Sequence, residues 1–327
     1  MSVNVGVIGT ARRAAAHLKS LAQIEEVEIT ALCDVAEDRV RQAAEQYGGR
    51  VYMDYREMLD RETLDVVYIV TPPRVHADPA IQAAERGIHV FLEKPLALSM
   101  GEAIQAKDTV ERAGVFCAIG YQLRYLDIMD RAKALLGGRP VVMVAGHYYW
   151  TVPPITWVMD RRQTGGQIVE QATHLVDLCR FFVGEVHSVY GRYTLQTRQD
   201  VPGFHNWDAN CVTMTFESGA VGSMVSTYAL FPGIPDNSSV DIVADEVLVR
   251  VSGSELRVFT REGTEVFKPE VDPTLEANRA FIHAVVTGDP SGIRSPIEDG
   301  LRTLAVTLAA NHSHKTGQPV DMATFLT

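Results

Sequence analysis

The sequence predicts an α/β protein in two parts: a doubly wound parallel sheet, then an α/β domain carrying a large, mostly antiparallel open sheet. Three observations carry this. Over residues 1–122, short apolar runs alternate with helical stretches, as in successive βαβ units. From Val141 onward, apolar runs follow one another with turn residues between them, as hairpins do. A length of 327 residues also exceeds what one ordinary core serves, so domains over 1–122 and 123–327 are expected.

Val3 to Ile8 reads as a buried strand, followed by Gly9-Thr10-Ala11-Arg12-Arg13-Ala14 and a helix through about Gln23. This is the strand–turn–helix setting of a dinucleotide fingerprint, with Gly9 in the first glycine position and Ala11 and Ala14 in the second and third. The helix N-terminus offers free N–H groups to an anion, and Arg12 or Arg13 adds charge there. The second strand, Val27 to Cys33, ends on Asp34, twenty residues after Ala14. A Rossmann unit places its ribose-binding acid at that distance, and a carboxylate repels a 2′-phosphate, so NAD is expected over NADP. Asp34 is also placed to cap the helix Ala36 to Tyr47.

Asp65 to Val70 is a further strand, closed by the turn Thr71-Pro72-Pro73, and His76 to Arg86 is a helix. His76 suits either a core position or a contact on the nicotinamide side. The run Val90 to Leu92 stops on Glu93-Lys94-Pro95, since proline cannot continue a ladder. A lysine at a carboxyl-terminal strand end faces the ligand crevice of such a sheet. Ser99 to Glu102 is a capping box for the helix to about Ala113, and Val115 to Gly120 is the last strand of this half.

In the second half, strands are expected at Val141 to Tyr149, Val189 to Thr197, Ala209 to Phe216, Ala220 to Tyr228, Val240 to Val251, Glu255 to Phe259 and Thr264 to Phe267. Helices at about Thr274 to Thr287 and Pro296 to Lys315 close the chain. Between the first two strands, Gly165-Gly166 opens a helix expected to run to about Phe182, with Glu170, His174 and Asp177 on one side of it. A histidine with a carboxylate one turn away is a candidate acid/base pair. Tyr148, Tyr149, Trp150 and Trp157 cluster ahead of the glycines; aromatic faces beside polar groups suit sugars or cyclic polyols, and equally an interface.

A net charge of −11 argues against nucleic acid, and no apolar run is long enough for a membrane span. The N-terminus enters a strand at once, so no signal peptide is expected. Four scattered cysteines read as reduced thiols of a cytoplasmic protein, and no metal-ligand spacing is present.

Taken in order, these pieces resemble the Gfo/Idh/MocA family (glucose–fructose oxidoreductase, inositol dehydrogenase, rhizopine catabolism protein). The carriers are Val7-Ile8-Gly9 with the helix to His17, Thr71-Pro72-Pro73 with His76, Glu93-Lys94-Pro95, Arg124-Tyr125, the glycine-pair helix to His174, Phe216 to Ala220, and Asn278. The resemblance implies an NAD(P)-dependent oxidoreductase acting on a CH–OH group of a sugar, sugar derivative or cyclitol. It implies cofactor contacts from Gly9, Thr10, Ala11, Arg12, Arg13, Asp34, Thr71, Pro72, His76, Glu93, Lys94 and Gln122. Lys94 and His174, with Glu170 where the family usually carries aspartate, are the implied catalytic groups. Arg124, Trp157 and Arg161 join them as expected substrate contacts. A homodimer or homotetramer through the second sheet is also implied. Two alternatives remain open at this level: a cryptic redox cycle on a glycoside, and a sugar sensor without catalysis.

Overall fold

The computed structural model describes residues 2–326. These divide into two compact units: residues 2–125 with Val271–Leu301, and Leu126–Glu270 with residues 302–326. The first unit opens with β1 (Val3–Ile8), α1 (Arg12–Leu21), β2 (Val27–Cys33), α2 (Glu37–Tyr47), β3 (Arg50–Tyr52), α3 (Tyr55–Arg61), β4 (Val66–Ile69), α4 (Ala77–Glu85), β5 (His89–Leu92), α5 (Met100–Ala113) and β6 (Cys117–Ile119). The strands lie in the order β3-β2-β1-β4-β5-β6, every pair parallel. The order reverses between β1 and β4, and ligands of such sheets bind outside the carboxyl ends at that point. β4 and β5 are buried throughout apart from His89, which explains their nearly unbroken apolar sequence. β3 and α3 fall in a stretch with no clear sequence periodicity.

The second unit continues with α6 (Asp127–Leu136), β7 (Val141–Tyr149), α7 (Arg161–Thr164), α8 (Gln167–Glu170), α9 (Thr173–Val183), β8 (Val186–Thr194), β9 (Ala209–Phe216), β10 (Val221–Thr227), β11 (Ser238–Ala244), β12 (Val247–Val251), β13 (Leu256–Thr260) and β14 (Gly263–Phe267). These strands form one sheet, antiparallel except where β7 pairs with β10. The expected single strand Val240 to Val251 is in fact a hairpin, turning at Asp245-Glu246 with Glu246 at φ 57°. Helix α9 packs over β7 and β11, covering Val144, Gly146 and Ile242. On the opposite face Met143 and Val221, register partners on β7 and β10, are exposed.

The chain then returns. Helix α10 (Pro273–Thr287) belongs to the first unit, α11 (Ile297–Thr316) begins there and ends in the second, and β15 (Val320–Asp321) and α12 (Met322–Phe325) finish the second. This differs from the contiguous 123–327 domain that strand order suggests. The reason is apolar: Ala277, Phe281, Ile282 and Ala284 of α10 are buried in the same core as Leu18, Tyr68 and Phe91. Phe281 meets Tyr68 and Phe91 edge-to-face, at centroid distances of 6.1 and 5.6 Å. Phe281→Ala is therefore expected to destabilise the first unit by about 3–5 kcal/mol, seen as a lowered midpoint in urea denaturation followed by tyrosine fluorescence.

Candidate active site

In the first unit, the turn after β1 is built on backbone. Gly9 has φ 92°, and a Cβ there would come within 2.3 Å of the Val70 carbonyl oxygen, so no other residue fits where β1 and β4 end side by side. Gly9 N–H donates to the Cys33 carbonyl at 2.7 Å. Ala11, the N-cap of α1, supplies no side-chain acceptor, leaving the N–H groups of the first turn directed outward, the arrangement that takes phosphate. Thr71 Oγ1 and Gln122 Oε1 are buried without a protein partner. Open N–H groups, a glycine cradle and orphaned polar atoms fit a dinucleotide.

Asp34 is buried at the end of β2. One carboxylate oxygen accepts from Thr10 N–H (2.8 Å) and Thr10 Oγ1 (3.0 Å), the other from Ala36 N–H (2.9 Å) and Arg39 (2.6 Å). Burial opposes its ionisation, but Arg39 and these N–H groups outweigh it and hold the carboxyl below its usual range. Asp34 thus both ties Thr10 to the turn and braces the start of α2. Arg39, half exposed, is a charge at this strand end that the sequence reading did not include.

Glu93 is the hub of this half. Its Oε1 accepts from Arg13 Nε at 2.6 Å and lies 3.0 Å from His17 Nε2, while Oε2 accepts from Lys94 N–H at 3.1 Å. His17 reaches Asn278 Oδ1 of α10 with its other nitrogen at 3.0 Å. The carboxylate rests against Gly120, where a Cβ would stand 2.9 Å from Glu93 Cδ. Burial alone would raise the Glu93 carboxyl; Arg13, His17 and Lys94 together hold it well below the usual carboxylate range. Lys94, next along the chain, is partly exposed.

Several expected contacts are placed otherwise. Arg13 is turned onto Glu93 and Thr274 Oγ1 (3.3 Å), whereas Arg12 is exposed beside the helix N-terminus. His76 is 1% exposed, with Nδ1 2.6 Å from the Pro95 carbonyl and Nε2 2.7 Å from that of Thr71. It clamps the Glu93-Lys94-Pro95 turn to the end of β4, the core position that the sequence left open beside a nicotinamide-side contact. Arg124 is buried too, donating to the Arg294 carbonyl (2.7 Å) and paired with Asp299.

In the second unit, Gly165 (φ 77°) and Gly166 (φ 93°) make the turn that admits α8. A Cβ on Gly166 would meet the Trp207 ring at 2.9 Å. The expected continuous helix is broken: Gln167 carbonyl accepts from both Gln171 and Ala172 N–H at 2.9 Å, and α9 starts afresh at Thr173. The offset turns Glu170, at the end of α8, relative to the residues of α9. Asp177 is 1% exposed and accepts from Thr303 Oγ1 at 2.9 Å, so it is committed to the protein interior, and the break parts it from Glu170 but not from His174, three residues earlier in the same helix. Those two, with Gln171, are the partly exposed positions between Gln167 and Arg180. Trp157 is half buried; Arg161 is exposed, donating to the His205 carbonyl and lying 4.9 Å from the Trp207 ring centroid.

Residues 3–121 match the model of an oxidoreductase family with an NAD-binding Rossmann fold, and residues 136–255 match the GFO/IDH/MocA C-terminal domain. The chain belongs to the Gfo/Idh/MocA family. As a Gfo/Idh/MocA protein it is an oxidoreductase with an NAD(P)-binding Rossmann fold. It is similar to the myo-inositol 2-dehydrogenase of Thermotoga maritima, 26% identical over 98% of each chain. It is also similar to the scyllo-inositol 2-dehydrogenase (NAD(+)) of Bacillus subtilis, 29% identical over 68% of this chain and 66% of that one. Among solved structures, levoglucosan dehydrogenase in complex with NADH and levoglucosan has the same fold, with a TM-score of 0.88 at 22% identity over 98% of this chain and 100% of that one.

The Glu93 hub sets a pH dependence for this Gfo/Idh/MocA enzyme. A carboxyl whose folded value lies below its ordinary 4.5 stabilises fully above that value and loses the contribution as pH falls toward the folded one. Glu93→Gln is expected to cost about 3–5 kcal/mol at pH 7, as breaking a buried pair does. The gap to the parent in urea denaturation should narrow below about pH 4.5, because only the parent has that ionisation to lose.

Proposed function

We propose that this enzyme is an NAD-dependent dehydrogenase of a cyclitol or sugar, with Lys94 and His174 as its catalytic residues. The observation that carries this reading is Lys94 at the mouth of a doubly wound sheet, anchored through its own N–H to a buried, ionised Glu93. The inositol dehydrogenases to which the chain is similar over most of its length support the substrate class.

When bound, NAD supplies the acceptor for the hydride that leaves the alcohol carbon. The α1 N-terminus, with exposed Arg12, holds the pyrophosphate, and Thr71 Oγ1 and Gln122 Oε1 are hydrogen-bonding groups for the nicotinamide end. Asp34 marks the ribose position; its charge is shared with Arg39, so the NAD preference rests on the carboxylate holding that arginine away from a 2′-phosphate. The Lys94 ammonium donates to the substrate hydroxyl oxygen and stabilises the negative charge that grows there. A ring nitrogen of His174 takes the hydroxyl proton, and in the reverse direction returns it. Glu170, four residues earlier, is assigned the role of holding that ring. Trp157 and Arg161 stay in this reading as edges of the substrate site. The exposed Met143 and Val221 on the open sheet face mark the surface through which copies of the chain associate.

The test is absorbance in the reduced-nicotinamide band with NAD or NADP and a panel of inositols, aldoses and anhydro-sugars. Reduction of NAD by one class is expected. Lys94→Ala and His174→Ala should each lower kcat/KM by about 10²–10⁴-fold, with NADH affinity, read by fluorescence, kept within a few-fold. Turnover unaffected by either substitution would remove them from the catalytic roles; tightly held cofactor with no net reduction across the panel would exchange this reading for a hidden redox cycle.

A further inference from the structure

The second unit carries polar atoms that its own fold leaves unused. Tyr228, just past β10, is fully buried, and its hydroxyl has no protein partner. Gln167 is 2% exposed; its Nε2 donates to the Thr227 carbonyl at 3.1 Å, which fixes the amide's orientation and turns Oε1 away. That oxygen is also buried and unpartnered, as is Gln171 Oε1. Buried polar groups in native folds are almost always hydrogen-bonded, so orphans gathered in one place call for a missing partner.

Two of the three are gathered in one place, since Gln167 donates to the carbonyl of Thr227, the residue before Tyr228. Ser226 is the register partner of Tyr148 on β7, and Tyr228 follows Ser226 by two residues, so Tyr148, Ser226 and Tyr228 lie on the helix-covered face of the sheet. Burial and then the Glu170 carboxylate push the Tyr148 phenol up to about 12, and burial, Glu170 and Tyr148 together raise Tyr228. Both phenols therefore stay protonated near neutral pH, within electrostatic reach of Glu170.

We propose that Tyr228, Gln167 and Tyr148, with Glu170, recognise the hydroxyls of the substrate other than the reacting one, and that they select an uncharged polyhydroxylated substrate over phosphorylated or carboxylated sugars. This rests on the dehydrogenase reading above. The chemistry of the atoms carries it. The Gln167 amide oxygen and the Glu170 carboxylate accept hydrogen bonds, which hydroxyl groups donate and phosphates or carboxylates cannot. Two phenols complete the set as neutral donors and acceptors. Two arginines of the neighbouring loops are committed elsewhere: Arg198 to the carbonyls of Tyr228 (3.3 Å) and Ala229 (2.7 Å), and Arg162 to Asp160. An anion placed against this wall meets acceptor oxygens and a like charge, the arrangement by which sites reject a competitor.

The experiment pairs neutral and anionic compounds: myo-inositol with inositol 1-phosphate, glucose with glucose 6-phosphate and with glucuronate. Steady-state rates with NAD, and calorimetric titration of the NADH-loaded enzyme, are measured for each. The neutral member of the preferred pair is expected to lead by about a hundredfold or more in kcat/KM and in affinity. Tyr228→Phe should raise KM about tenfold, one ordinary hydrogen bond, while leaving Tm unchanged or higher, because it deletes an unsatisfied buried hydroxyl. Gln167→Met, which keeps volume without the amide oxygen, should raise KM similarly. Preference for an anionic member, or Tyr228→Phe lowering Tm with KM unmoved, would overturn the inference while leaving the dehydrogenase intact. Selective binding of neutral compounds without any turnover would do the reverse, sustaining the wall and ending the dehydrogenase reading.

Discussion

One buried carboxylate organises the first unit. Glu93 sits at the end of β5, and three segments distant in sequence converge on it: Arg13 and His17 from α1, Gly120 after β6, and Asn278 of α10 by way of His17. A charge taken out of water is tolerable only with such company. The arrangement is correspondingly unforgiving, since removing any cation leaves an uncompensated charge and adding a methyl at Gly120 displaces it. The same interaction bears on function through one bond. Lys94 N–H is held by the Glu93 side chain, so the backbone that presents the lysine is fixed by the network beneath it. His76 secures the other flank by pinning the Pro95 carbonyl to the end of β4.

The two halves of the molecule use glycine and carboxylate for different ends. In the first unit Gly9 and Gly120 bring backbone close to backbone and to Glu93, and the acids Asp34 and Glu93 are saturated with protein donors. In the second, Gly165 and Gly166 let a short helix enter against Trp207, and the following break at Gln171 and Ala172 resets the register before α9. That break gives Gln167, Glu170, Gln171 and His174 their separate directions. An unbroken helix would have aligned Glu170 with Asp177 instead, and Asp177 serves the packing of α9 on α11 through Thr303.

Much of this was legible in the sequence, and the reasons are physical. Period-two and continuous apolar runs bounded by Gly, Pro and Asp marked the parallel sheet and the hairpins, because burial on one or both faces of a strand is a local pattern. The turn at Gly9, the acid at Asp34 and the stop at Pro95 were legible for the same reason: each follows directly from a strand end. What the sequence did not disclose has a common cause as well. His76, Arg124 and Asp177 are polar residues whose partners are backbone carbonyls or side chains far along the chain, such as Arg294, Asp299 and Thr303. A polar side chain announces its chemistry in the sequence but not its partner. Arg39 had a usable signal, five residues past Asp34 in the first turns of α2. Tyr228 and Gln167 had none, since only burial shows that their polar atoms are unused.

The return of α10 to the first unit has a consequence for how the chain is made. During synthesis the six parallel strands emerge first, yet the apolar face that Phe281 and Ile282 cover stays bare until about 280 residues have been added. The second unit cannot finish ahead of it either, because its edge strand β15 and the end of α11 follow α10 in the chain. Both units therefore wait on the stretch from Pro273 to Asp321. A chain released early leaves two open cores, so for this molecule truncation is a proteostasis problem before it is a catalytic one.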